Sequence, residues 1–341
     1  MKETVSQRIR ILSFFMTCGM VLYHCMNLDG SLAFGAFDEA FSVQMYNVFF
    51  ELGILVMSYF FTVTGYLLFS GYELKQYPAK IKRRFFSLLI PYFAWQCIFG
   101  AWEMIRGAEA FSLTAFLTRV FGLVMWPYDG PLWYVYAVFL MALVSPLLLM
   151  VFRNRRMGWG VVLVLILLNS VRNHITNPVI VKIMLHGYVG NILLYVPSFL
   201  LGCFLGKFSE EMTLEQVIGC LMSLLVMGCL LDGVLPGTLS NISMQLAAAL
   251  ALFTLPIVPA LLDRKIYSLN FLMYAIHLPL ISAVWPYLSR ICARIPLPVS
   301  IWNILTRLLI LTADIALAWL LQAGLRRFAP RVLRILTGGR K

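Results

Sequence analysis

Charge is what this sequence has least of. Of its 341 residues, 12% are Asp, Glu, Lys or Arg and 61% are hydrophobic. A soluble domain carries about a quarter charged residues. The deficit therefore excludes a soluble globular chain and predicts an all-α polytopic membrane protein. Acidic residues are scarcer than basic ones, 15 against 27, and there are four histidines. The seven cysteines form no CxxC pair. They read as small core residues rather than as a disulfide framework or zinc site, and no metal is expected. No cleavable leader is expected, because the first apolar run is too long for a signal h-region and no small-residue cleavage site follows it. Long linkers, appended soluble domains and internal repeats are also missing, and the last absence argues against a transporter built from two related halves.

What is present is a series of about ten apolar runs, near 9–28, 47–70, 85–105, 131–152, 159–175, 189–206, 214–233, 242–262, 268–288 and 300–325. The net charge of +12 is distributed by side rather than in a nucleic-acid-binding patch. With the N-terminus placed in the cytoplasm, 20 of the 27 Lys and Arg fall in inner segments and 6 in outer ones, with Arg307 inside the last run. That bias obeys the positive-inside rule and predicts that both termini are cytoplasmic. One membrane domain over 1–328 is expected, with 329–341 as a basic cytoplasmic tail. The outer segment 106–130 contains a stretch from Phe111 too short to span. It reads as an interfacial or re-entrant helix leading into the turn Trp126-Pro-Tyr-Asp-Gly130-Pro131.

The first run begins after Arg8 and Arg10 and carries His24 near its far end, roughly 21 Å beyond Arg10 at helical rise. An ionisable group inside a span is a functional candidate by default. His24 and His277, the latter in Tyr274-Ala-Ile-His277-Leu-Pro279, are therefore the candidate catalytic pair, weighed against a purely structural hydrogen-bonding role. His174 and His186 read as solvated loop residues. Lys80, Lys82, Arg83 and Arg84 precede the third run and serve either as a topology anchor or as a phosphate clamp. Trp133 and Tyr134 read as interfacial belt residues or, alternatively, as pocket residues. Glu51, Glu103, Asp232 and Asp314 are the other acidic groups in or near spans. Asp314 sits two turns from Arg307, which predicts an ion pair within the last helix.

Several of these segments resemble the membrane-bound acyltransferase-3 family, the bacterial O-antigen, Nod-factor and exopolysaccharide O-acyltransferases. The resemblance rests on Leu22-Tyr23-His24, Phe60-Phe61-Thr62-Val63-Thr64-Gly65-Tyr66, Pro91-Tyr92 and Gly130-Pro131-Leu132-Trp133-Tyr134. Tyr195-Val-Pro197-Ser-Phe-Leu-Leu-Gly202 and Ser268-Leu-Asn-Phe-Leu-Met-Tyr274-Ala-Ile-His277 complete the set. Their joint order and spacing cover nearly the whole chain. The family's first span usually carries Arg or Lys eleven residues before its His, where this chain has Ser13. Arg10, fourteen residues before His24, lies 60° from Ser13 around a helix and is expected to stand in for it. Lys80-x-x-Arg83 likewise replaces an Arg-x-x-Arg pair.

The resemblance implies transfer of an acyl group, commonly acetyl, from cytoplasmic acyl-CoA to a hydroxyl of an extracytoplasmic glycan or glycolipid in the bacterial cytoplasmic membrane. No bound cofactor is implied, since acyl-CoA is the donor substrate. Arg10, Lys80, Lys82, Arg83 and Arg84 are the expected donor contacts. His24 is the expected base or transient acyl carrier, with His277, Tyr23, Trp133, Tyr134 and Tyr274 nearby. Two other readings stay open: a transporter or flippase of a small anionic or lipid-linked substrate, and a non-catalytic membrane scaffold.

Overall fold

The computed structural model describes residues 2–25, 39–107, 110, 112–121, 127–171, 187–258, 261–262, 264–292, 294–295 and 297–340. Much of the 29–46 loop, Trp126 and the 172–186 segment with Arg172, His174, Lys182 and His186 lie outside them. All regular structure among the described residues is helical. Helices suit a chain with so little polar side-chain capacity, because each satisfies its own backbone hydrogen bonds away from water. In order they are α1 (Lys2–His24), α2 (Glu39–Phe69), α3 (Tyr77–Arg84), α4 (Ile90–Ile105), α5 (Leu113–Val120), α6 (Trp133–Leu143) and α7 (Ser145–Val151). There follow α8 (Arg155–Val171), α9 (Gly187–Phe208), α10 (Leu214–Asp232), α11 (Thr238–Thr254), α12 (Asn270–Cys292), α13 (Val299–Phe328) and α14 (Pro330–Thr337).

Each of the ten apolar runs contains helix among its described residues, and helix ends at Thr254 within the run 242–262. Seven helical stretches among the described residues are long and apolar enough to cross a bilayer, and the bent pair α6–α7 makes an eighth. The helices α8 and α11 have 17 residues each, the lower limit for a span. The run 131–152 is not one continuous rod, for α6 and α7 meet at 60°. Pro146, in the first turn of α7, cannot donate to the preceding turn and sets the break. Polar side chains stitch the bend. Tyr77 Oη donates to the Leu143 carbonyl at 3.0 Å, and the Tyr72 and Ser145 hydroxyls lie 3.0 Å apart. The helix α5 has eight residues and is capped by Ser112, whose Oγ accepts from Ala115 N at 3.3 Å. It is far too short to cross.

The centre of the fold is the crossing of α2 and α9. The backbone at Gly65 meets Phe199 O, and Gly202 and Gly206 lie against the carbonyls of Thr62 and Tyr66. Side chains at these positions would hold the helices apart, so the small-x-x-x-small pair Gly202/Gly206 lets the backbones touch. Thr62 Oγ1 adds a donated bond to Ser198 O at 3.2 Å. The helix α1 joins this core through Gly53, which faces the Tyr23 ring, and Gly19, which faces Val56. Arg8 then binds the end of α11, donating to Leu252, Phe253 and Leu255 carbonyls at 3.2, 2.7 and 2.6 Å. A cation at a helix C-terminus satisfies carbonyls that have no intrahelical partner.

The acidic residues are mostly structural. Glu103 pairs with Arg106 at 2.7 Å, and Asp232 accepts from Leu239 N at 2.9 Å. Glu51 faces the Ser240 hydroxyl at 3.5 Å. The expected Arg307–Asp314 pair does not form. Arg307 donates to Asn303 O at 3.2 Å and lies over the Phe49 ring at 4.3 Å, while both Asp314 carboxylate oxygens are buried without a hydrogen-bond partner among the described residues. Seven residues place two side chains on nearly the same face, but about 10 Å apart along the axis, and each packs on its own neighbours.

Candidate active site

Between α1, α2, α3, α6 and α12 lies a cavity of about 710 Å³. Three of its cations come from one helix face, since Lys80, Arg83 and Arg84 at i, i+3 and i+4 project together. Immediately after Arg84 the chain takes a π-helical turn, Phe85–Leu89, before α4 resumes. Such turns change the angular register of a helix and occur disproportionately at functional sites. Here Ser87 and Leu88 of that turn also line the cavity. Lys80 Nζ donates to Leu68 O at 2.8 Å and lies 4.3 Å above the Tyr72 ring. Arg83 and Arg84 make no hydrogen bond or ion pair among the described residues, and no Asp or Glu lines the cavity.

Tyr134 and Tyr274 form its inner wall. The Tyr134 hydroxyl is fixed by Thr64 Oγ1 at 2.5 Å and by the Phe60 carbonyl at 3.0 Å. Tyr274 Oη donates to the Pro131 carbonyl, tying α12 to the turn ahead of α6. One turn beyond Tyr274, His277 is fully buried, and its ring centroid lies 4.9 Å from that of His24. His277 Nδ1 lies 2.8 Å from Tyr274 O. A carbonyl only accepts, so Nδ1 carries the proton and neutral His277 keeps its lone pair on Nε2. That Nε2 is buried without a hydrogen-bond partner among the described residues. Tyr23 packs edge-on against His24 at 4.9 Å. The two imidazoles, far apart in sequence, thus share one site just past the cavity wall.

Not every expected residue gathers here. Ser13 lines the cavity and its hydroxyl lies 3.2 Å from Tyr59 Oη. Arg10, a turn away, lines a neighbouring groove with Arg264, Lys265 and Arg326, and Ser13 and Asn270 border both spaces. It does not line the cavity itself. Lys82 is exposed and does not line the cavity. Trp133 is not a belt residue. It is 8% exposed and packs on Phe61 and Tyr195, which stack on each other at 5.3 Å. Tyr134 is also held inside the protein, in the cavity wall.

Two groups escaped the sequence reading. Arg340 reaches the same cavity from the segment after α14. Asp129, in the turn ahead of α6 and outside the spanning segments, is fully buried. Gln96 accepts from its backbone N and donates to its backbone O, both at 3.2 Å. Burial pushes the Asp129 carboxyl well above the usual range. In the sequence Asp129 reads only as a turn residue.

The fold and site together define a multi-pass membrane protein holding a cation-lined cavity that ends beside a pair of imidazoles. A family model described as an acyltransferase domain matches residues 8–323, and the chain belongs to that acyltransferase-3 family. No curated protein and no solved structure matches it. It is a membrane acyltransferase, acting on groups other than amino-acyl groups.

Proposed function

We propose that the enzyme transfers an acetyl group from cytoplasmic acetyl-CoA to a hydroxyl of an extracytoplasmic glycan or glycolipid, at the bacterial inner membrane with both termini in the cytoplasm. The observation that carries this reading is the cavity with Lys80, Arg83 and Arg84 on its wall and no carboxylate. Unpaired guanidinium groups suit the phosphates of coenzyme A, which they bind as bidentate forks. The cavity floor at Tyr274 lies one turn from His277 and its partner His24. His24 is the base: it takes the proton as the acceptor oxygen attacks the thioester carbonyl. A C–O bond forms, the C–S bond breaks, and the proton passes to the departing thiolate. His277 holds the second imidazole against it, oriented by the Tyr274 carbonyl.

Labelled acetyl-CoA and purified protein test the assignment. A general base contributes about 10²–10⁴-fold in rate. His24→Ala is therefore expected to lower turnover by at least about 100-fold while elution and melting temperature stay close to wild type. Undiminished transfer by His24→Ala removes the base from His24. Mass spectrometry of surface polysaccharide and lipid from a deletion strain identifies the acceptor as the species that loses acetyl groups.

A further inference from the structure

The helix α14 and the residues after it lie beyond the stretch matched by the family, which ends at residue 323. They are nevertheless built into the protein. The buried Trp95 of α4 donates from Nε1 to Leu336 O at 3.0 Å, and Leu336 and Thr337 are buried. The helix ends at Gly338, φ +64°, followed by Gly339, φ +74°. Gly338 N and Gly339 N donate back to Ile335 O and Arg334 O at 3.3 and 2.9 Å. Gly338 also lies directly on the Ser87 carbonyl of the π-helical turn, where a side chain would not fit. A left-handed backbone without a Cβ is thus needed twice over at one position. Its consequence is direction: the chain turns over the π-helical segment and delivers Arg340 into the cavity.

There the Arg340 guanidinium lies 4.3 Å over the Phe271 ring and donates from Nη1 to Thr337 O at 2.9 Å. That is its one hydrogen bond among the described residues, so its other N–H donors are left to the cavity. Arg340 and Arg84 repel one another across this space. Four cations now converge on a cavity whose lining contains no carboxylate. Like charges held together without a counter-charge are unfavourable, and a polyanionic ligand removes the penalty.

We propose that the segment 330–340 completes the donor site, with Arg340 binding a phosphate of the acyl thioester alongside Arg83 and Arg84. This rests on the donor reading above. The segment supplies, from the opposite end of the chain, a cation on the cavity wall that Ser13 does not provide and Arg10 does not reach.

Acetyl-CoA kinetics of the purified full chain test it. Arg340→Gln is expected to raise KM about tenfold with kcat little changed, since one charged hydrogen bond to a bound anion is lost. Arg340→Lys keeps the charge and recovers part of the affinity. Arg331→Gln, on the exposed face of α14, leaves KM unchanged. Gly338→Ala, which displaces the segment without touching Arg340, also raises KM. Binding of adenosine 3′,5′-bisphosphate, which carries phosphates without a thioester, weakens in parallel with KM. If the double variant Arg83→Gln/Arg84→Gln raises KM and Arg340→Gln does not, the role of the segment is overturned while the donor site stands. If neither raises KM, the donor reading falls and takes this one with it. A loss of binding confined to phosphatidylglycerol vesicles, with nucleotide binding unchanged, overturns the proposal in favour of a lipid headgroup.

Discussion

Asp129 holds its place through its backbone and gains nothing from its side chain. Gln96 takes both backbone groups, while the two carboxylate oxygens are buried without a hydrogen-bond partner among the described residues. The neutral acid is the form this site tolerates, because desolvation penalises the charge and raises the pKa in the folded protein. A carboxyl raised on folding contributes stability in full below its unfolded pKa, and that contribution is lost as pH rises through the folded value. Asp129→Asn keeps the shape and cannot ionise. Its melting temperature is expected to exceed wild type by a few degrees at pH 8. The gap should shrink as pH falls toward 4. A gap that does not change with pH places the effect in packing rather than ionisation.

At the scale of elements, the α2–α9 crossing decides where the α2 wall of the cavity stands. Phe60 and Thr64 face the cavity on one side of α2, and on another side Gly65 meets α9. Gly202→Ala would add a methyl against the Thr62 carbonyl, a backbone atom that moves only if the helices part. The gain of about 1 kcal/mol in helix propensity is outweighed by overpacking, which costs about 1–3 kcal/mol and displaces backbone. Gly219, in α10, has open space at the same test. Gly219→Ala is therefore expected to raise the detergent melting temperature and Gly202→Ala to lower it, with activity lost in step. Equal shifts in the two variants would show that the crossing is not tight.

For the whole molecule, charge and packing converge on one end. Arg10, Arg264, Lys265 and Arg326 share a groove, and Lys80, Arg83, Arg84 and Arg340 share the cavity. Both groups come from segments that the charge bias counts as inner. Reporter fusions at Lys341 and in the 29–46 loop should therefore give opposite sidedness, with Lys341 cytoplasmic. Matching signals from the two positions would overturn this orientation and the cytoplasmic entry of the donor.

Composition and periodicity suffice for the helices, because a run of apolar residues with almost no charge has one low-energy state in a bilayer. His24, His277 and the Lys80–Arg84 cluster were legible for the same reason, as ionisable groups stand out against an apolar background. Partnership was not legible. The Arg307–Asp314 pair followed from spacing on an ideal helix and does not form, and Arg10, placed by the same reasoning, lines the neighbouring groove rather than the cavity. Trp133 and Tyr134 have the residue types of an interface, and only the packing of Phe61, Tyr195 and Thr64 around them places them inside. Arg340 lies more than 250 residues along the chain from Arg84 and carries no local mark except the two glycines before it. Local pattern reports how a residue sits on its own helix. Which residues meet across a cavity is decided by the approach of helices through close contacts such as Gly65–Phe199 and Gly338–Ser87, and that approach exists only in the tertiary structure.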